Sequence, residues 1–235
     1  MQIVITGATR GIGKAVVEAF ARQSTPHHFF VCARKKEELQ ELETVVKDIN
    51  QVHQVSWQVC DFQQTDQIKA FAETVLDAGK AVDLLINNAG IYEPGSCYNE
   101  PEGLLEKMLQ VNLMSAYHLT RALIGPMIKQ KTGHIFNLCS IASIKAYANG
   151  GSYSISKYAL SGFTRNLREE LKPFGIKVTG IYPGATLSSS WDGMDIDPNR
   201  IMKVEDVAKM IKAAASLSTQ AVVEDIILRP QLGDL

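Results

Sequence analysis

The chain has 235 residues, of which 46% are hydrophobic and 21% charged, and its formal net charge is -1. That length suits one α/β domain with a substantial core and is short for two, and the near-neutral charge argues against nucleic acid or an anionic membrane as partner. Cys32, Cys60, Cys97 and Cys139 form no C-x-x-C pair, so neither a zinc site nor a disulfide framework is expected and a reducing compartment fits.

The first predicted element is a strand over Gln2–Thr6, too short an apolar run for a signal peptide. No later stretch reaches the roughly 20 apolar residues of a membrane span, so the expectation is a cytoplasmic protein with a small-molecule partner and no metal. The strand runs into Thr6-Gly7-Ala8-Thr9-Arg10-Gly11-Ile12-Gly13 and then a helix near Gly13–Gln23. Glycines at a strand-to-helix turn let the backbone turn sharply and let a pyrophosphate approach the helix N-terminus. The spacing lacks the Gly-Lys-Ser/Thr ending of an NTPase loop. A glycine turn without a ligand is the plainer alternative.

The second strand, near Phe29–Ala33, ends in Arg34-Lys35-Lys36. An NAD-preferring site would place an acid here for the ribose hydroxyls; Arg34, with Arg10 from the glycine loop, suits the 2′-phosphate of NADP(H) instead. A solvated first turn of the next helix, Lys36–Ile49, would explain the cations differently, although helix N-termini disfavour them. A third strand near Val55–Cys60 leads to Asp61 and Phe62, with Asp61 either an adenine acceptor or the cap of a helix near Thr65–Ala78. The fourth, near Asp83–Asn87, ends in Asn87-Asn88-Ala89-Gly90.

A long helix is predicted over Glu102–Gln130, carrying Asn112 at an interior position that asparagine fills poorly without another role. The fifth strand, near His134–Cys139, is followed by Ser140, either a turn cap or a donor to a substrate oxygen. The next helix, near Tyr153–Lys172, opens with Tyr153 and Lys157 four residues apart on one face. An ammonium at that distance favours the phenolate and makes the tyrosine a useful acid or base. A strand near Lys177–Tyr182, an irregular segment over 183–203, a helix Val204–Ala215 and a strand near Val222–Leu228 complete the chain. Such alternation predicts a parallel sheet with helices on both faces, and the 183–203 segment a loop over the substrate.

The motifs T-G-x-x-x-G-x-G at Thr6–Gly13, N-N-A-G at Asn87–Gly90, then Asn112, Ser140, Tyr153 and Lys157, span most of the chain, and in their order and spacing the chain resembles the short-chain dehydrogenase/reductase family. The resemblance implies a single Rossmann domain over residues 1–235, doubly wound, with seven parallel strands in the order 3-2-1-4-5-6-7. It implies a catalytic tetrad of Asn112, Ser140, Tyr153 and Lys157, in which Tyr153 protonates a ketone oxygen and Asn112 holds a water. NADP(H) would be held by Gly7, Thr9, Arg10, Gly11, Ile12 and Gly13, by Arg34, Asp61 and Phe62, and by Asn88, Ala89 and Gly90. Tyr153, Lys157, Pro183, Gly184 and Thr186 would complete the cofactor site; Thr186 lies closer to the Pro-Gly pair than is usual, so Ser188 is an alternative. Ser140, Tyr153 and Trp191 would meet the substrate, with Ile141, Ile144, Tyr147, Leu187, Met194, Ile196 and Met202 as apolar walls. The ending through Gly233-Asp234-Leu235 is similar to bacterial sepiapterin reductase-like members, and 3-oxoacyl-carrier-protein reductases are the alternative branch. Oxidation of alcohols with NAD and an NADP(H) sensor without turnover are further alternatives. Family members pair through the helices here placed at Glu102–Gln130 and Tyr153–Lys172, which implies a homodimer or homotetramer.

Overall fold

Short runs rich in Val, Ile and Phe lie side by side in the computed structural model, which describes residues 1–187 and 197–234. They form β1 (Gln2–Thr6), β2 (His28–Ala33), β3 (Gln54–Val59), β4 (Leu84–Asn87), β5 (Gly133–Leu138), β6 (Ile176–Pro183) and β7 (Asp225–Leu228). The seven strands are parallel throughout and ordered β3-β2-β1-β4-β5-β6-β7, the Rossmann-type order expected. The helices are α1 (Gly11–Ala21), α2 (Lys36–Ile49), α3 (Thr65–Leu76), α4 (Leu104–Leu109), α5 (Ser115–Gln130), α6 (Gly151–Leu171) and α7 (Val204–Ala215).

Successive strand residues point to opposite faces, and here both faces are apolar because both are covered. Ile3, Ile5, Phe29 and Val31 pack with residues of α1, α2 and α7 in one core. Val4, Phe30 and Cys32 pack with Ile68 and Phe71 of α3 and Leu119 and Leu123 of α5 in the other. No helix among the described residues is long and apolar enough to cross a membrane.

Two predicted elements differ. The helix expected over Glu102–Gln130 starts at Leu104, after Gly103 at φ +80°, and is split by a π-helical turn at Gln110–Met114. A π turn adds a residue to the helical repeat and redirects the side chains it carries, and Asn112 is one of them. The last strand starts at Asp225 rather than Val222; before it the Thr179 hydroxyl donates to Val223 O, and Glu224 O accepts from both the Gly180 amide and the Arg168 guanidinium.

Buried histidines make the fold sensitive to acid. His134 is buried and its Nε2 meets the Thr179 hydroxyl, which already donates to Val223 O, so His134 supplies the hydrogen and its Nδ1 is left bare. Burial holds His134 down to about 3 and His27, stacked on His53, down to about 4, from an ordinary 6.5. The unfolded chain therefore binds more protons than the folded one as pH falls from 6.5 toward those values, and stability is lost through that window. Urea midpoints should decline between pH 6.5 and 4, with a shallower decline in His134→Leu; a flat wild-type profile would refute this.

Candidate active site

Parallel strands put all their C-terminal ends on one edge of the sheet, and the order reverses between β1 and β4, which opens a crevice there. A cavity of about 560 Å³ lies at this edge, lined by residues that follow β1, β4, β5 and β6.

The glycine loop follows β1. Gly7 and Gly11 have φ of +64° and +56°, which side chains rarely tolerate. A Cβ on Gly13 would stand 2.4 Å from Gly7 O and 2.5 Å from Asn88 Nδ2, so only glycine lets α1 begin against the loop. Asn88 donates to Thr6 O and Gly7 O, and the Thr6 hydroxyl accepts from the amides of Asn88 and Ala89. The N-N-A-G motif thereby stitches the end of β4 to the loop. Arg10 caps α1 without a side-chain bond, and the first turn of α1 carries no acid, so its amides stay available to an external anion. Ile12 of that turn faces the cavity.

At the end of β2, Arg10, Arg34 and Lys35 are exposed at the surface. The Thr9 hydroxyl, expected to serve a cofactor, donates instead to Glu38 Oε2 at 2.8 Å, and Lys35 Nζ lies 3.1 Å from Glu38 Oε1. Asp61 Oδ1 accepts from the Gln63 amide in the turn before α3, while Gln64 is the N-cap. The Phe62 side chain is buried in the core against α3, which leaves its main chain as the part that can face an adenine.

Ser140 lies two residues past β5 and fills the turn-cap role. Its Oγ accepts from the Ala142 amide at 3.1 Å, capping a short 3-10 turn, and Ser140 is near enough to the Tyr153 hydroxyl to favour its ionised form. Lys157, one turn beyond Tyr153 on α6, is buried, donates to Leu138 O at 2.6 Å, and its Nζ is 5.9 Å from the Tyr153 ring centre. Burial lowers Lys157 to about 8. Burial also pushes Tyr153 up, against the neighbouring Ser140, which lowers it. The expected lowering by the ammonium is thus not what this geometry gives: Lys157 is directed at a carbonyl, and desolvation of the phenol dominates.

Asn112, set by the π turn, accepts from the Ile91 amide at 2.8 Å and donates to Ile91 O at 3.1 Å and Ser156 Oγ at 2.9 Å. It fixes the irregular segment following N-N-A-G and makes no hydrogen bond to Lys157. Its Oδ1 and the Lys157 Nζ flank Gly90, where a Cβ would lie 3.2 and 3.5 Å from them. Tyr92 packs edge-on to Tyr153, with ring centres 4.9 Å apart. Glu100 accepts from the amide and hydroxyl of Ser152, in the first turn of α6 beside Tyr153. Neither residue was singled out from sequence; the position of Tyr92 two residues past Gly90 was an available signal, whereas nothing local marked Glu100.

Pro183 ends β6, and Gly184 N donates to Leu228 O at 2.7 Å. Thr186 is buried, donates to Gly184 O and bridges to Met202, and Leu187 N donates to Met202 O, so the two ends of the 183–203 segment are zipped together. Ser188, Trp191, Met194 and Ile196 lie outside the described residues. Ile141 and Tyr147 line the cavity as expected, whereas Ile144 does not and is 41% exposed. Lys145 and Asp234 join the lining unanticipated, Asp234 paired with Arg229.

The sequence profile of the short chain dehydrogenase family matches residues 1–197. The chain belongs to the short-chain dehydrogenase family. It is 28% identical over 237 residues to a sepiapterin reductase of Chlorobaculum tepidum, an alignment covering 99% of this chain and 97% of that protein. It is 31% identical over 183 residues to a 3alpha-hydroxysteroid dehydrogenase of Mediterraneibacter gnavus, covering 78% and 72% of the two chains. Among solved structures, a metagenomic short-chain oxidoreductase in complex with NADP superposes with a TM-score of 0.84 at 28% identity, covering 98% of this chain and 97% of that one. This membership makes the chain a short-chain oxidoreductase.

Proposed function

We propose that this short-chain oxidoreductase uses NADPH to reduce a ketone to an alcohol, with Tyr153 as the proton donor. The observation that carries the reading is that Ser140, Tyr153 and buried Lys157 line one cavity, with Ser140 beside the Tyr153 hydroxyl. The uncapped, acid-free first turn of α1 fits a pyrophosphate, and the exposed Arg10 and Arg34 suit a 2′-phosphate. Pro183, Gly184 and Thr186 bound the same cavity and would face the nicotinamide, while Asn88 and Ala89 bond to the glycine loop and Gly90 lines the cavity. NADPH, when bound, supplies the hydride.

The chain's own residues handle the proton. Burial keeps Tyr153 protonated at neutral pH, as an acid that must deliver a proton requires. Ser140 is placed to donate to the developing oxyanion once the substrate replaces one of its present partners. Lys157 is charged below its pKa of about 8, where its ammonium supports the phenolate that remains after transfer. Reductive kcat/KM should therefore hold at lower pH and fall as pH rises through about 8. Similarity to a sepiapterin reductase supports a small bicyclic carbonyl substrate, with the sheet-edge cavity and its Tyr92 and Tyr147 rings as an apolar wall. The long helices α5 and α6 would pair two copies into a homodimer or homotetramer, which light scattering reads directly.

The test is equilibrium binding of NADPH and NADH followed by turnover of the preferred one with pterin, diketone, quinone and 3-oxoacyl substrates. Tighter NADPH binding with consumption is the expected result. Tighter NADH binding would overturn the cofactor assignment, and tight binding without turnover of any substrate would favour a sensor.

A further inference from the structure

Glu38 stands among the cations at the end of β2 and has no place in the catalytic roles above. Its carboxylate joins two segments 29 residues apart, accepting from the Thr9 hydroxyl at 2.8 Å while pairing at 3.1 Å with Lys35, the N-cap of its own helix. An acid in the first turn of a helix needs no explanation beyond the dipole, and the neighbouring Glu37 supplies one. The bond to the glycine loop is what distinguishes Glu38. It ties the loop that would carry pyrophosphate to the helix that would flank the adenosine.

We propose that Glu38 is a specificity residue that restrains this site's preference for a 2′-phosphate while holding the glycine loop in place. This rests on the NADPH reading above. The carboxylate occupies Lys35 and shares the field of Arg10, whose charge, after the Thr9 bond and Lys35, helps hold the Glu38 carboxyl below its usual range. A dianionic 2′-phosphate brought to Arg34 and Arg10 is repelled by that carboxylate; a neutral 2′-hydroxyl is not. The tie to Thr9, by contrast, serves either cofactor equally, since both carry the pyrophosphate. One side chain thus makes two separable contributions, one set by charge and one by geometry.

Glu38→Gln separates them, because the amide oxygen still accepts from Thr9 while the charge is gone. Fluorescence titration should show NADPH binding tightened by about three- to tenfold and NADH changed by less than about twofold. The ratio of affinities for 2′,5′-ADP and 5′-ADP should move in the same sense, a readout that needs no turnover. Thr9→Val keeps the charge and breaks the tie, and should weaken both cofactors without changing their ratio. Equal effects of Glu38→Gln on both ligands of each pair would overturn the proposal, as would a ratio change in Thr9→Val that matches it. A wild type that prefers NADH would defeat the NADPH reading alone, because the Gln variant must still shift the ratio toward the 2′-phosphate.

Discussion

Tyr153→Phe is expected to lower kcat for ketone reduction by about 100- to 10,000-fold, the range general acid catalysis supplies, while leaving NADPH affinity within about twofold. The ring stays, so the edge-on packing with Tyr92 at 4.9 Å is kept and the wall of the cavity does not collapse. What is lost is the hydroxyl beside Ser140, the group proposed to pass a proton to the carbonyl oxygen. Ser140 keeps its bond from the Ala142 amide, so the 3-10 turn after β5 should survive. Single-turnover rates on pre-bound NADPH separate the chemical step from binding. Full activity in the variant would end the mechanism; a matching loss of cofactor affinity would assign Tyr153 to binding rather than proton transfer.

Lys157→Met is the second large effect, and it divides activity from stability. The native ammonium is buried, and its pKa is lowered from 10.5 to about 8, so the folded state disfavours the charge that the unfolded chain carries freely. Below pH 8 this is a cost to folding, and between pH 8 and 10.5 that cost shrinks as the proton leaves. Methionine fills similar space without the charge, at the loss of one hydrogen bond to Leu138 O. The expected result at pH 7 is a Tm no lower than that of the wild type. Reductive kcat/KM should fall by at least about 100-fold, because the phenolate left on Tyr153 has no nearby cation. The alkaline fall in activity near pH 8 should also vanish from what activity remains. A large drop in Tm would mean that the bond to Leu138 outweighs the buried charge.

The polar stitching is where sequence reading was thinnest. N-N-A-G was legible as a motif, yet its parts separate in space: Asn87 turns inward to Thr120 and Asn137, while Asn88 turns outward to the glycine loop. Adjacent strand residues must point to opposite faces, but which face meets which loop depends on partners more than 30 residues away. Asn112 shows the same limit. Its poor fit to a helix interior was visible, whereas the π turn that carries it and its pairing with Ile91, 21 residues away, were not.

The sequence by itself determined the parallel sheet with helices on both faces, and the family resemblance of its motifs implied the strand order. Alternating apolar runs and the handedness of parallel crossovers leave few other ways to bury both faces. It also determined which chemistry-bearing side chains are present, because Tyr153 and Lys157 share a helix face by spacing alone. Only the tertiary structure decided which way their proton affinities move and the company they keep. Burial raises Tyr153 and lowers Lys157, and an acid 29 residues from Thr9 enters the cofactor end of the site. Desolvation and long-range pairing depend on what surrounds a group in space, and no local pattern encodes that.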